Sequence, residues 1–261
     1  MIFIRVFKYL KYILLSDNRK GHGIHSPFVY DLVSRIFRNK IDGDIVFRIE
    51  KIRKKLIADG RSIVVNDLGT GQERMKTNLR KVSGIAGNSP VPRKYGVLLS
   101  NLASEFGNPF IAELGTSFGI STMYMAAAKD TKVKTVEGSS VCANISIENF
   151  SEAGIDNIEV FTGPFAEILP LIINPDNKPG MVFIDGDHRK RPLLDYFYYI
   201  AGVCDSKSVI VIDDINYSEE MEEAWKEIKS YEKVTFTIDL FRMGMVFFRE
   251  GMTHNDYIIR Y

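Results

Sequence analysis

The chain has 261 residues, 45% of them apolar and 26% charged, with a formal net charge of +1, the balance of an ordinary soluble globular protein with material for a substantial core. Its two cysteines, Cys142 and Cys204, exclude a disulfide framework and a thiolate metal site, and they fit a reducing, cytoplasmic setting. The small net charge hides an asymmetry: residues 1–61 carry 14 Lys/Arg against 6 Asp/Glu, a balance of +8, and the remainder carries 20 against 27, a balance of −7. A basic front can dock on an acidic body, or it can meet an acidic partner such as nucleic acid or an anionic membrane surface. The basic residues are spread over several helices rather than clustered, which favours internal docking and argues against nucleic acid.

In chain order, MIFIRVFKYLKYILL comes first. Ile2, Phe3, Val6, Tyr9, Leu10, Ile13 and Leu14 recur at helical spacing and make one apolar face. Arg5, Lys8 and Lys11 interrupt the run, so it does not read as a membrane-spanning helix, and no small-residue cleavage site follows. Such a helix packs on its own domain or on a second copy in a homodimer; the competing reading is peripheral membrane contact through residues 1–15. GHGIHSP follows as a loop, with His22 and His25 too few for a metal site. Ser26 then reads as an N-cap with Pro27 at the first helical position of a helix to Phe37. A second helix, Asp44 to Asp59, carries Ile45, Ile49, Ile52 and Leu56 on one side and ends at Gly60. Residues 1–107 are thus expected to form a helical extension that caps a second domain, 108–261.

From Phe110 the texture changes. The apolar runs FIAEL, VKTVE, IEVFTG, MVFID, SVIVID, VTFTID and MVFFR read as strands, and each of the first five leads into a helix-like segment. That alternation predicts an α/β fold, a Rossmann-like, doubly wound and mostly parallel seven-stranded sheet. Only LFRMG joins the last two runs, too short for a crossover helix, so they should close the sheet as an antiparallel hairpin.

Two glycine-bearing turns compete for a ligand: VVNDLGTGQER, with Asp67 to Gly71 at its bend, and IAELGTSFGIST, with Gly115 and Gly119. In such sheets ligands bind at the carboxyl ends of the strands, where the strand-to-helix turn presents backbone N–H groups. An acidic residue ending the next strand can then grip ribose hydroxyls. Only the second turn has one: Glu137 closes VKTVE, 22 positions after Gly115. A dinucleotide would call for G-x-G-x-x-G, whose middle glycine admits the pyrophosphate. Here Thr116, Ser117 and Phe118 stand between the glycines, which suits a smaller adenosine-bearing ligand.

ELGTSFGIST, VEGSS, VFIDGDH and VIDDINYS, in this order, resemble the class I S-adenosylmethionine-dependent methyltransferases. The residue pattern of the turn is similar to the catechol and caffeoyl-CoA type, and GHGIHSPFVYDL and DLFRMGMVFFRE resemble a bacterial O-methyltransferase subgroup. The resemblance implies methyl transfer from S-adenosylmethionine to an oxygen of a small-molecule acceptor. Glu113, Gly115, Thr116, Ser117 and Gly119 would hold the methionine part, and Glu137 with Gly138 the ribose. The turn Gly163-Pro164-Phe165 would enclose the adenine, and Asp185 would face the sulfonium or the acceptor. An RNA or protein methyltransferase guided by the basic front, or a non-catalytic binding module, is the alternative.

A second group is acidic: Asp185, Asp187 and His188 after one strand, Asp213, Asp214 and Asn216 after the next. Carboxylates gathered at neighbouring strand ends repel unless a cation or donor lies between them. Oxygen-only ligands favour a hard ion, magnesium or calcium. The resemblance implies Mg2+ on Asp185, Asp213 and Asp214, with an Asp where the catechol-type enzymes have Asn; the competing reading makes Asp213 and Asp214 caps of the next helix or turn. Without an ion, His188, close in sequence to Asp185, is the expected general base, and Asp185 stands beside it as a catalytic candidate.

Overall fold

The computed structural model describes residues 2–16, 24–66, 77–88, 90–128 and 130–261. The chain forms two compact units, one of residues 1–39 with 188–261 and one of residues 40–187. The expected extension, 1–107, is shared between them.

In the second unit, α3 (Gly43–Ala58; α1 and α2 belong to the first unit) begins at Asp42, whose carboxylate accepts from the Asp44 amide. Its apolar side, Ile45, Val46, Ile49, Ile52 and Leu56, is buried. A two-stranded antiparallel hairpin follows, β1 (Ser62–Asn66) with β2 (Thr77–Lys81); the turn Asp67–Gly71 lies outside the described residues, as does His22. After it come α4 (Val82–Asn88) and α5 (Arg93–Phe106), the latter starting behind Pro92. Then the alternation starts: β3 (Ile111–Leu114), α6 (Ile120–Ala126), β4 (Val133–Glu137), α7 (Ser140–Ala153), β5 (Ile158–Thr162), α8 (Phe165–Ile172) and β6 (Met181–Ile184). The four strands are parallel in the order β6-β3-β4-β5. β3 and β6 are buried along their whole length, as continuous apolar runs in a parallel sheet require. One face of this unit is a core in which α3 meets Phe118, Ile120, Met123 and Tyr124 of the β3–α6 segment and Cys142 and Phe150 of α7. The glycine turn is therefore built into a packed core.

In the first unit, α1 (Ile2–Leu15) and α2 (Pro27–Ser34) precede α9 (Lys190–Val203), β7 (Val209–Ile212), α10 (Glu219–Lys229), β8 (Phe236–Asp239), β9 (Gly244–Phe247) and β10 (Asn255–Ile258). Ser26 caps α2 as expected, accepting from the Val29 amide. Strands run in the order β7-β9-β8-β10; β9 is antiparallel to both neighbours, which realises the expected closing hairpin, and β10 adds a parallel strand beside β8. All seven expected strands are present, as β3 to β9. Trp225 of α10 lies flat against the hairpin: a Cβ at Gly244 would come within 2.6 Å of its ring. The helix α1 is tied to this unit by Tyr12, whose hydroxyl donates to the Ile259 carbonyl and accepts from the Tyr261 amide, and by the Lys8–Glu222 ion pair. Tyr9 and Tyr12 pack on Phe241, with ring centroids 5.1 and 5.3 Å apart, while Leu10, Leu14 and Leu15 stay exposed. No helix among the described residues is long and apolar enough to cross a membrane.

Candidate cofactor loop and the acidic turn

The turn between β3 and α6 needs its glycines. Gly115 has φ +104° and Gly119 φ +82°, and Ser117 between them is also left-handed at φ +49°. A Cβ on Gly115 would sit 2.2 Å from the Asp185 carbonyl oxygen, and one on Gly119 would sit 2.2 Å from the Phe150 ring. Both the backbone conformation and the neighbours exclude a side chain. The Gly115 and Thr116 amides donate to the Val136 carbonyl at 3.0 and 3.2 Å, which anchors the turn to β4.

Beneath the turn lies Glu113, fully buried. Ser121 donates to one carboxylate oxygen at 2.6 Å, and Thr122 and Thr135 donate to the other at 2.5 and 2.6 Å. Thr116 and Thr135 hydroxyls are 2.5 Å apart. Because the single Thr135 hydroxyl proton goes to Glu113, Thr116 must be the donor to Thr135. The relay Thr116→Thr135→Glu113 thus fastens the turn to the strands below it. The carboxylate has no exposed surface, and its partners are the hydroxyls of α6 and β4.

Burial pushes the Glu113 carboxyl above its ordinary value, against the pull of its three hydroxyl donors. The folded state then holds a proton more tightly than the unfolded state. Its contribution is present in full below the ordinary carboxyl range and is lost as pH rises toward the raised value. Glu113→Gln removes this titration. The variant should gain stability relative to wild type as pH rises from about 4, by up to about 1.4 kcal/mol per pH unit through the window. Urea unfolding of both proteins across that range checks it; parallel pH profiles would contradict it.

Glu137 ends β4 as a half-buried carboxylate that accepts from the Ser117 amide at 2.7 Å on one oxygen and from the Ser139 amide at 2.9 Å on the other. The acid expected to grip ribose hydroxyls thus touches the glycine turn directly. Ser139 also caps α7, accepting from the Cys142 amide, and Gly138 lies between the two residues. Gly163, at φ +152°, donates its amide to the Glu137 carbonyl at 3.0 Å, so the β5–α8 turn is fastened to the same strand end. Phe165 is buried, with its ring against Gly186, where a Cβ would come within 2.5 Å. Asp185 donates its amide to the Leu114 carbonyl at 2.9 Å, and Asp187 is left-handed at φ +55°. Residues with such backbone conformations cluster at functional sites, which makes these strand ends the candidate. Cys142 lies nearby, but burial pushes its thiol up to about 11, which leaves it unreactive.

In the first unit, His188 is half-buried with its ring 5.8 Å from that of Tyr217, and His25 is exposed. Asp213 is fully buried, and both of its oxygens are taken by Arg242, through Nε at 2.9 and 3.2 Å and Nη2 at 2.6 Å. Asp214, left-handed at φ +53°, has a carboxylate oxygen 3.8 Å from Arg242 Nε. Among the described residues no group of three or more His, Cys, Asp or Glu side chains is arranged to hold an ion. The expected Mg2+ set of Asp185, Asp213 and Asp214 therefore does not fit this geometry, because a guanidinium already sits on the central carboxylate. The competing capping role does not hold for α10, whose N-cap is Ser218. Arg242 was not singled out from sequence; its signal was a lone cation inside LFRMG, between two buried strands.

The model of a family described as a methyltransferase domain matches residues 112–215. A protein of Mycobacterium ulcerans named "Putative O-methyltransferase" is 29% identical over 121 residues, 45% of this chain and 52% of that protein. The chain thus spans about half the length of the curated relatives it matches. An O-methyltransferase from Bacillus cereus, solved with SAH, superposes with a TM-score of 0.56 at 20% identity, covering 84% of this chain and 97% of that one. TomG of Streptomyces achromogenes, an O-methyltransferase of tomaymycin synthesis solved with SAM, gives 0.56 at 18% identity, covering 80% and 91%. Residues 112–215 are thus similar to a methyltransferase domain, and the fold is Rossmann-like.

Proposed function

We propose that this protein transfers a methyl group from S-adenosylmethionine to an oxygen of a small-molecule acceptor. The observation that carries the reading is the Glu137 carboxylate, held by the Ser117 and Ser139 amides against the glycine turn. In this reading the same carboxylate accepts the ribose hydroxyls, a charge-assisted contact. The same arrangement disfavours a pyrophosphate: the Ser117 amide that would face a phosphate is spent on a carboxylate, and anion would meet anion. A cationic sulfonium with an amino-acid tail suits the turn in both charge and size.

When bound, S-adenosylmethionine supplies an electrophilic methyl group on positively charged sulfur. For transfer to an acceptor oxygen, the chain's own residues would have to align that oxygen with the methyl group and take up its proton. The residues of the turn hold the donor so that attack is in line. Glu113, through Thr135 and Thr116, is the positioning residue that keeps the turn in place. His188, whose imidazole is half-buried, is the base we assign. Phe165 and Gly163 form the wall we assign to the adenine.

Calorimetry tests this directly on the full chain. S-adenosylmethionine and its demethylated product should bind with dissociation constants of roughly micromolar order, about −8 kcal/mol, and NAD should give no measurable heat. Tighter binding of NAD than of S-adenosylmethionine would refute the reading.

A further inference from the structure

The hairpin turn that carries Arg242 is unusually well fixed. The Ile215 amide donates to the Arg242 carbonyl at 3.1 Å, and the Arg242 amide donates to the Leu240 carbonyl at 2.9 Å. Asn216 donates its side-chain amide to the Phe241 carbonyl at 2.7 Å, and Phe241 itself is left-handed at φ +69°. Tyr9 and Tyr12 of α1 pack on that ring. The arginine is therefore held in place by its backbone as well as by its bidentate bond to Asp213.

We propose that the Arg242 guanidinium takes the cation position at the Asp213–Asp214 turn, so that this turn holds no divalent ion. Two adjacent carboxylates at a strand end need positive charge near them. One of them, Asp213, has no exposed surface through which water could serve. A bidentate guanidinium meets that need with planar, charge-assisted geometry. A divalent ion arriving at Asp213 would find both oxygens occupied. It would have to displace a side chain whose own backbone is pinned, and it would then face a like charge only a few ångströms away. Arg242 is thus a positioning residue: it neutralises the β7 end and locks it to the β8–β9 turn. The inference goes beyond the proposed methyl transfer, and it leaves deprotonation of the acceptor to a side chain.

The test is a titration of the full-length protein with Mn2+ alone, read by the paramagnetic resonance signal of the free ion, in wild type and in Asp213→Asn. Expected is that wild type leaves the free-ion signal undiminished, or that any loss of signal persists unchanged in Asp213→Asn. Melting temperatures with chelator and with excess Mg2+ should coincide in wild type. Stoichiometric Mn2+ binding by wild type that Asp213→Asn abolishes would overturn the proposal. Should that variant not fold, Asp214→Asn, at a half-buried position, makes the same comparison. Calorimetry with S-adenosylmethionine on the same preparation reports separately on the proposed transfer, so the two readings fail independently.

Discussion

Alanine at position 115 is expected to destabilise the protein by about 3 kcal/mol and to lower its melting transition by roughly 10 °C. Two costs add. A side chain at φ +104° is strained by about 1–2 kcal/mol, and its Cβ, 2.2 Å from the Asp185 carbonyl, forces β3 and β6 apart at the site. Neither can be relieved by rotating a side chain, since the obstacle is backbone. Gly84, in α4, has open space around a built Cβ and an unremarkable backbone, so Gly84→Ala is the control that should cost nothing. Thermal melts of the two variants beside wild type settle the matter. A Gly115→Ala protein as stable as the Gly84→Ala protein would mean that the turn does not have the conformation described.

Replacement of Glu137 by alanine is expected to weaken S-adenosylmethionine binding by at least about 100-fold. Two hydrogen bonds to a charged acceptor are worth about 1.5–3 kcal/mol each, and both ribose contacts vanish together. The Ser117 and Ser139 amides lose their acceptor too, so the turn loosens before any ligand arrives. Glu137→Gln should fall between wild type and alanine, since one side-chain oxygen remains to accept while the amide nitrogen cannot. Titration calorimetry gives the three affinities. A Glu137→Ala protein that binds within about threefold of wild type would remove the ribose role.

The alternating domain was legible because its signals are local. Short apolar runs separated by amphipathic segments place β3 to β9, and the five residues of LFRMG dictate an antiparallel return. What escaped notice lacked such a signal. β10 is an edge strand reading Asn-Asp-Tyr-Ile, half of it exposed and without an apolar run, and β2 reads Thr-Asn-Leu-Arg-Lys. Helix α5 follows Pro90 and Pro92 in a stretch that reads as a basic, proline-broken connection; Pro92 is in fact its N-cap. At the site, Glu137 and the glycine turn could be paired in advance because the strand–turn–helix order fixes their separation. Thr135 could have been noticed as a lone hydroxyl inside VKTVE. The pairing of Asp213 with Arg242 spans 29 residues and depends on hairpin register, which no local pattern encodes. That pairing is also where the expected ion set gave way to an ion pair.

The most direct measurement of the central claim is a crystal structure of the full chain with S-adenosylhomocysteine. Both ribose hydroxyls should lie at roughly 2.5–2.9 Å from the Glu137 carboxylate, with the amino-acid tail against the turn from Gly115 to Gly119. A nucleoside bound away from β4, or Glu137 turned from the sugar, would contradict the account.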